Sequence, residues 1–279
     1  VTYLKLTIVI PDPYQENLVA ELIELDFDGF EQFDDRLEAF IPKPRFSDVS
    51  REYIEQVLTV YPVESYILSE EICEKNWNEE WENTIRPQTI GQFFIKPSWS
   101  AVMPPKGKTL LKIDPKMSFG TGYHATTRLM LEALPSLMPA SKTVLDAGTG
   151  TGILAIAALK LGAENVFAFD IDNWSETNAR ENALINQVDD RIVFAHGGFE
   201  TIPENALYEI IFANINRNVI LAMLGILTGH LAPGGSLCVT GILHEDVQTV
   251  KNKASDFSLY MEERRDKLEW SWLHLKRKE

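Results

Sequence analysis

Val144-Leu145-Asp146-Ala147-Gly148-Thr149-Gly150-Thr151-Gly152 is the stretch that decides the fold. It reads as a buried strand ending beside an acid, then a glycine-rich turn that opens a helix. The helix is the nearly unbroken apolar run Ile153 to Leu161, closed by Gly162. A second short strand follows, Val166-Phe167-Ala168-Phe169, and ends at Asp170, eighteen residues beyond Gly152. Strand, glycine turn, helix, strand and acid make up the unit that holds an adenosine moiety at the carboxyl end of a parallel sheet. Glycines at 148, 150 and 152 are expected to remove Cβ atoms where a ligand lies against the backbone. Asp170 is expected to accept hydrogen bonds from the two ribose hydroxyls.

Glycine spacing separates two classes of nucleoside cofactor. Dinucleotide sites use Gly-x-Gly-x-x-Gly, with a pyrophosphate at the helix N-terminus. Here the pattern is Gly-x-Gly-x-Gly, with Asp146 two positions ahead of it. An acid beside the turn repels a pyrophosphate and suits a ligand that carries an ammonium and a sulfonium, which is S-adenosylmethionine. A dinucleotide-dependent oxidoreductase is therefore disfavoured. A cofactor-binding protein without turnover stays open, because an intact site does not guarantee chemistry.

Working outward, a second glycine element precedes the first: Phe119-Gly120-Thr121-Gly122-Tyr123-His124-Ala125-Thr126-Thr127. A helical pattern follows through Arg128, Leu129, Leu131 and Leu134, and Thr126 or Thr127 is placed to cap it. This loop is expected to cover the ligand and to offer hydroxyls and N–H groups to its carboxylate. Downstream, strands are expected at Arg191 to Ala195, Glu209 to Ala213, Ser236 to Thr240, Phe257 to Met261 and Leu268 to Leu275, the last two as an antiparallel edge pair. Phe93 to Ile95 and Leu110 to Ile113 lead into this domain. Asn214-Ile215-Asn216-Arg217 closes the fourth parallel strand, where a polar group can orient a methyl acceptor.

Residues 1–70 show a strand-helix-strand-strand-helix-strand rhythm, the expectation for a small ferredoxin-like α/β domain. This quarter holds 15 Asp and Glu against 5 Lys and Arg, a net −10 within a chain total of −15. A surface of that sign opposes phosphate, so direct nucleic-acid binding is not expected and a basic protein partner fits better. Trp77 and Trp81, four apart, are expected to share one face of a linker helix. The domain scheme is therefore 1–72 for recognition, 73–89 as linker helix and 90–279 for catalysis.

The 279 residues, 45% hydrophobic and 24% charged, are ordinary globular material. Cys73 and Cys238 and the five scattered histidines have no metal-ligand spacing, so neither a metal nor a disulfide is expected. Val1 to Ile10 reads as a strand rather than a secretion signal, and Val219 to Leu227 is about half a membrane span. A cytoplasmic monomer that makes no membrane contact is the expectation.

Taken together, these motifs resemble the PrmA family, the methyltransferase of the eleventh large-subunit ribosomal protein. The resemblance covers essentially the whole chain. It rests on Phe119-Gly-Thr-Gly-x-His124-x-Thr126-Thr127, on Asp146 to Gly152 running into Ile153-Leu154-Ala155-Ile156-Ala157, and on Asp170-Ile171-Asp172. It implies a seven-stranded, Rossmann-like class I methyltransferase domain behind the small domain. It also implies S-adenosylmethionine contacts at Thr127, Gly148, Asp170 and Asn214, with Asp146, Gly150, Phe119 and Gly120 completing the site. Asn214 is the expected catalytic positioning residue and His124 a weaker second, with loop packing as its alternative role. The implied reaction is N-methylation of lysine side chains, to trimethyl-lysine, and of the terminal amine of a basic ribosomal protein. Where the family continues with an apolar pair after the Asn, this chain has Asn216 and Arg217. A methyltransferase acting on RNA or a small metabolite is the runner-up. Its relatives carry Asn-Pro-Pro-aromatic at the fourth strand, which this chain lacks.

Overall fold

The computed structural model describes residues 2–61, 66–73, 85–116, 118–137 and 140–277. The chain divides into two compact units, Val1–Glu79 and Glu80–Glu279. Of the linker helix expected over 73–89, residues 74–84, with Trp77 and Trp81, lie outside the described residues, whereas Cys73 ends a strand and 85–89 are irregular and then extended, not helical.

In the first unit the order is β1 (Thr2–Val9), α1 (Asp12–Ile23), β2 (Gly29–Gln32), β3 (Arg36–Pro42), α2 (Asp48–Leu58) and β4 (Tyr66–Cys73). The strands pair antiparallel in the order β2-β3-β1-β4. Strict alternation explains the layer: Leu4, Leu6 and Ile8 on β1 and Leu37, Ala39 and Ile41 on β3 are buried. They pack against Leu18 and Leu22 of α1 and Ile54 and Leu58 of α2. The one buried polar side chain described in this core, Gln15, donates to the carbonyls of Ile10 and Phe33 at 3.0 and 2.6 Å. Ser47 caps α2 by accepting the Ser50 N–H.

The second unit opens with a three-stranded sheet of β5 (Gln88–Ile90), β6 (Phe93–Lys96) and β7 (Thr109–Lys112). β5 crosses the boundary expected at 89/90. After α3 (Ala125–Leu137) comes a seven-stranded sheet: β8 (Thr143–Ala147), β9 (Asn165–Asp170), β10 (Ile192–His196), β11 (Tyr208–Asn214), β12 (Leu231–Leu243), β13 (Leu259–Lys267) and β14 (Trp270–Arg277). Its order is β10-β9-β8-β11-β12-β14-β13; β10, β9, β8, β11 and β12 are parallel, β14 is antiparallel to both of its neighbours, and β13 at the edge again runs with the parallel strands. The helices are α4 (Ile153–Lys160), α5 (Asn173–Asn186), α6 (Arg217–Gly229) and α7 (Val247–Ser255). Both faces are covered, so neighbours on β8 enter different cores: Val144 joins one and Leu145 the other.

Three strand expectations need correction. β13 runs six residues beyond Met261 because its exposed side is charged, and a reading based on apolar residues stops too early. Leu268 belongs to the hairpin turn at φ +53° and is exposed, not to the strand. β12 reaches back through Pro233-Gly234-Gly235 to Leu231. No helix among the described residues is long and apolar enough to cross a membrane.

Candidate active site

A cavity of about 440 Å³ opens at the carboxyl ends of β8, β9 and β11. Of the residues singled out in the sequence, Phe119, Gly148, Gly150, Asp170 and Asn214 line it. Asp170 ends β9, where its Oδ2 accepts the Gly150 N–H at 2.9 Å and its Oδ1 accepts the Asp172 N–H at 3.0 Å. A carboxylate has about four acceptor positions, so these bonds leave room for two ligand hydroxyls. Asp172 caps α5 by accepting the Trp174 N–H at 3.1 Å.

The three glycines of the turn serve a purpose the sequence did not disclose. All have positive φ, +73°, +54° and +78°. A Cβ on Gly148 would lie 2.4 Å from Cγ2 of Ile215, one on Gly150 2.2 Å from the Phe119 carbonyl oxygen, and one on Gly152 3.1 Å from the Ala179 Cβ. The space a side chain would take is filled by other parts of this chain. Left-handed backbone and close chain approach thus demand glycine before any ligand is considered. The Phe119 loop is fastened over the turn: the Thr151 N–H donates to Phe119 O at 2.8 Å, and the Thr151 hydroxyl donates to Gly120 O at 2.7 Å.

Asp146, Thr127, Gly120 and His124 are not among the lining residues. Asp146 is fully buried beneath the turn; Oδ2 accepts the Thr149 hydroxyl at 2.8 Å and Oδ1 lacks a hydrogen-bond partner among the described residues. Burial pushes its pKa up to about 7, against the pull of the Thr149 hydroxyl and the Ala155 N–H. A direct contact with a ligand ammonium is therefore corrected to a place behind the wall. Thr127, also fully buried, meets Asn214 Nδ2 at 3.5 Å, which joins two of the expected residues.

Neither threonine caps α3. The helix starts at Ala125, and His124 precedes it, its carbonyl accepting the Arg128 N–H and its Nδ1 the Thr126 N–H. The His124 ring stacks edge-on between Phe119 and Trp270, with centroids 5.3 and 5.0 Å away. These contacts place the His124 ring in the packing of the loop.

Sequence reasoning missed the apolar wall formed by Phe169, Ile171, Phe199 and Val219, because these residues come from a strand, two connections and a helix start, and no local pattern marks them as facing one cavity. It also missed the cap at Asn216, whose Oδ1 accepts the Val219 N–H at 3.1 Å and starts α6. The donor set fits S-adenosylmethionine. Carboxylates at Asp170 and Asp172 face an apolar wall suited to a ring, and no Lys or Arg is among the described lining residues. A pyrophosphate would meet two carboxylates and no cation there. No group of three or more His, Cys, Asp or Glu among the described residues could hold a metal ion.

Comparison with known proteins points to one family. Residues 7–278 match the family model described as ribosomal protein L11 methyltransferase (PrmA). A ribosomal protein L11 methyltransferase from Porphyromonas gingivalis is 37% identical over 260 residues, 92% of this chain and 88% of the relative. One from Chlorobaculum parvum is 35% identical over 254 residues, covering 89% and 88%. A crystal structure of ribosomal protein L11 methylase from Lactobacillus delbrueckii subsp. bulgaricus superposes with a TM-score of 0.65 at 30% identity, over 70% of this chain and 100% of that one. The α/β architecture, the cavity at the strand ends and these matches over most of the chain lead to one conclusion: the chain belongs to the ribosomal protein L11 methyltransferase (PrmA) family.

Proposed function

We propose that this protein transfers methyl groups from S-adenosylmethionine to ribosomal protein L11, on lysine side chains up to trimethyl-lysine and on the terminal amine. The observation that carries the reading is a carboxylate-edged cavity without a cation, with Asn214 on its wall, in a chain of this family. When bound, the cofactor supplies an electrophilic methyl carbon on a positively charged sulfur. The chain's residues hold and orient. Asp170 takes hydroxyls, Phe119 and Ile171 flank the ligand, and Asn214 offers a carboxamide to the incoming amine. Deprotonating a lysine of pKa about 10.4 near pH 7 costs roughly 4–5 kcal/mol. Desolvation beside a cation lowers that cost, so positioning and exclusion of water suffice without a strong base.

The small unit, 1–72, is read as the docking element for the basic substrate, with 73–89 as linker and 90–279 as the catalytic part. Its net charge favours a basic protein over RNA. The protein is taken to act as a cytoplasmic monomer. Incubation with isotopically labelled S-adenosylmethionine and purified ribosomal proteins, followed by mass spectrometry, tests the reading. Label on L11 lysines and its terminal amine is expected, whereas label on RNA alone or on no ribosomal component refutes it.

A further inference from the structure

Ile215, between Asn214 and Asn216, is held between two glycines that are remote in sequence. Its side chain abuts Gly148 of the cofactor turn. Its main chain rests on Gly241 of β12, at φ +87°, where pairing with β14 shifts register between Val239 and Ile242. A Cβ on Gly241 would lie 2.1 Å from the Ile215 carbonyl oxygen and 2.9 Å from its carbonyl carbon. A flexible side-chain tip can turn aside, but a main-chain carbonyl cannot. Relief to ordinary contact at 3.4 Å means a shift of about 1.3 Å in the segment that carries Asn214, Ile215 and Asn216. All three line the cavity, while Gly241 does not. The same turn is latched from outside, because Arg217 pairs with Asp246, which follows β12.

We propose that Gly241 is a positioning residue for methyl transfer: its missing Cβ seats the Ile215 main chain on β12 and so sets where the 214–216 wall stands relative to the cofactor turn. A displacement near 1 Å away from the chemistry can cost on the order of 100-fold in rate. Gly234 supplies the control. It lies in the same strand at φ +70°, with no heavy atom within 4 Å of a built Cβ, so alanine there meets the same backbone strain without the collision.

The inference rests on reading the cavity as the cofactor site, and three variants separate the two ideas. Full-length Gly241→Ala, Gly234→Ala and Asp170→Ala are compared by thermal midpoint, by calorimetric affinity for S-adenosylhomocysteine, and by kcat and KM on L11. Both glycine variants share the strain of a positive φ, and Gly241→Ala should lose more thermal stability because it adds the collision. Gly241→Ala alone should lose on the order of 100-fold in kcat, with a smaller change in KM, and about tenfold in ligand affinity. If Gly241→Ala does not fold, Asp246→Asn releases the outer latch without adding an atom to the interior. It should lower kcat several-fold at unchanged ligand affinity, and unchanged kcat there overturns the inference. Wild-type kcat and affinity in folded Gly241→Ala also overturn it. Unchanged affinity in Asp170→Ala instead overturns the site reading beneath it.

Discussion

Replacing Asp146 by asparagine tests whether the cofactor turn is built over a carboxyl group that prefers its proton. Asp146 is fully buried, with one oxygen on the Thr149 hydroxyl and the other unpartnered among the described residues. Burial is the main cause of a pKa near 7; the Thr149 and Ala155 hydrogen bonds oppose it, and the charge of Asp170 adds to it. The folded value thus exceeds the ordinary 3.8. Below that pH both folded and unfolded chains are protonated, and the carboxyl stabilises nothing less than its neutral form would. As pH rises towards 7 the unfolded chain releases its proton first, and stability falls by about 1.4 kcal/mol per unit. Above 7 the whole difference, roughly 4 kcal/mol, has been lost.

Asparagine carries no such proton, though its unpartnered amide costs about 1–3 kcal/mol at every pH. The slope is therefore the diagnostic quantity, not the offset. Urea unfolding at pH 5, 6, 7 and 8 without cofactor, followed by tryptophan fluorescence, measures it, because Trp272 is fully buried in the larger unit. Between pH 5 and 7 the wild type should lose roughly 2–3 kcal/mol more than Asp146→Asn. Parallel curves would refute the reasoning.

Asp170→Ala should weaken S-adenosylmethionine binding about tenfold to a hundredfold, from the 1.5–3 kcal/mol worth of hydrogen bonds to a charged acceptor; calorimetry on the folded variant checks it. Gly148→Val should abolish binding while the small unit stays folded, because its Cβ would start 2.4 Å from Ile215 at φ +73°; retained binding in the same titration would show that the turn tolerates side chains. A chain that starts at residue 80, and so keeps β5, should bind cofactor but lose most activity on intact L11. With the full chain, added salt should slow association, since exposed charges are screened beyond about 8–10 Å near physiological ionic strength; equal activity of the short and full chains on intact L11 would return the acidic surface to a solubilising role.

Period and punctuation made the strands legible. Val144 to Ala147 and Val166 to Asp170 read correctly because parallel strands buried on both faces are largely apolar and end at acids and glycines. Asp170 and Asn214 were legible as cavity-lining residues because each terminates such a strand. The turn glycines stand out in the sequence, but the chain packing that also demands them does not, since an empty Cβ place looks the same in sequence whether a ligand or Ile215 lies beside it. The helix cap was placed two or three residues late because His124 is an uncommon capping residue beside two favoured ones. β5, three residues long, is too short to show any period.

One helix also acts as a ruler for a strand. Along α5, Asn178, Asn182 and Asn186 form a buried stripe. Asn186 takes the Lys112 N–H and returns a bond to its carbonyl, at 3.0 and 2.6 Å; Asn182 does the same for Asp114, at 2.9 and 3.1 Å, and reaches Thr151 O as well. Four residues of helix advance about 6 Å, and two residues of strand about 6.6 Å. The two lattices are nearly commensurate, so side-chain amides can stand in for a neighbouring strand along the outer edge of β7. That edge is closed to intermolecular pairing, the usual hazard of an unpaired strand. Inserting a single residue at 113 would break the match at one end, and the chain leading to Phe119 would enter the cofactor turn out of phase.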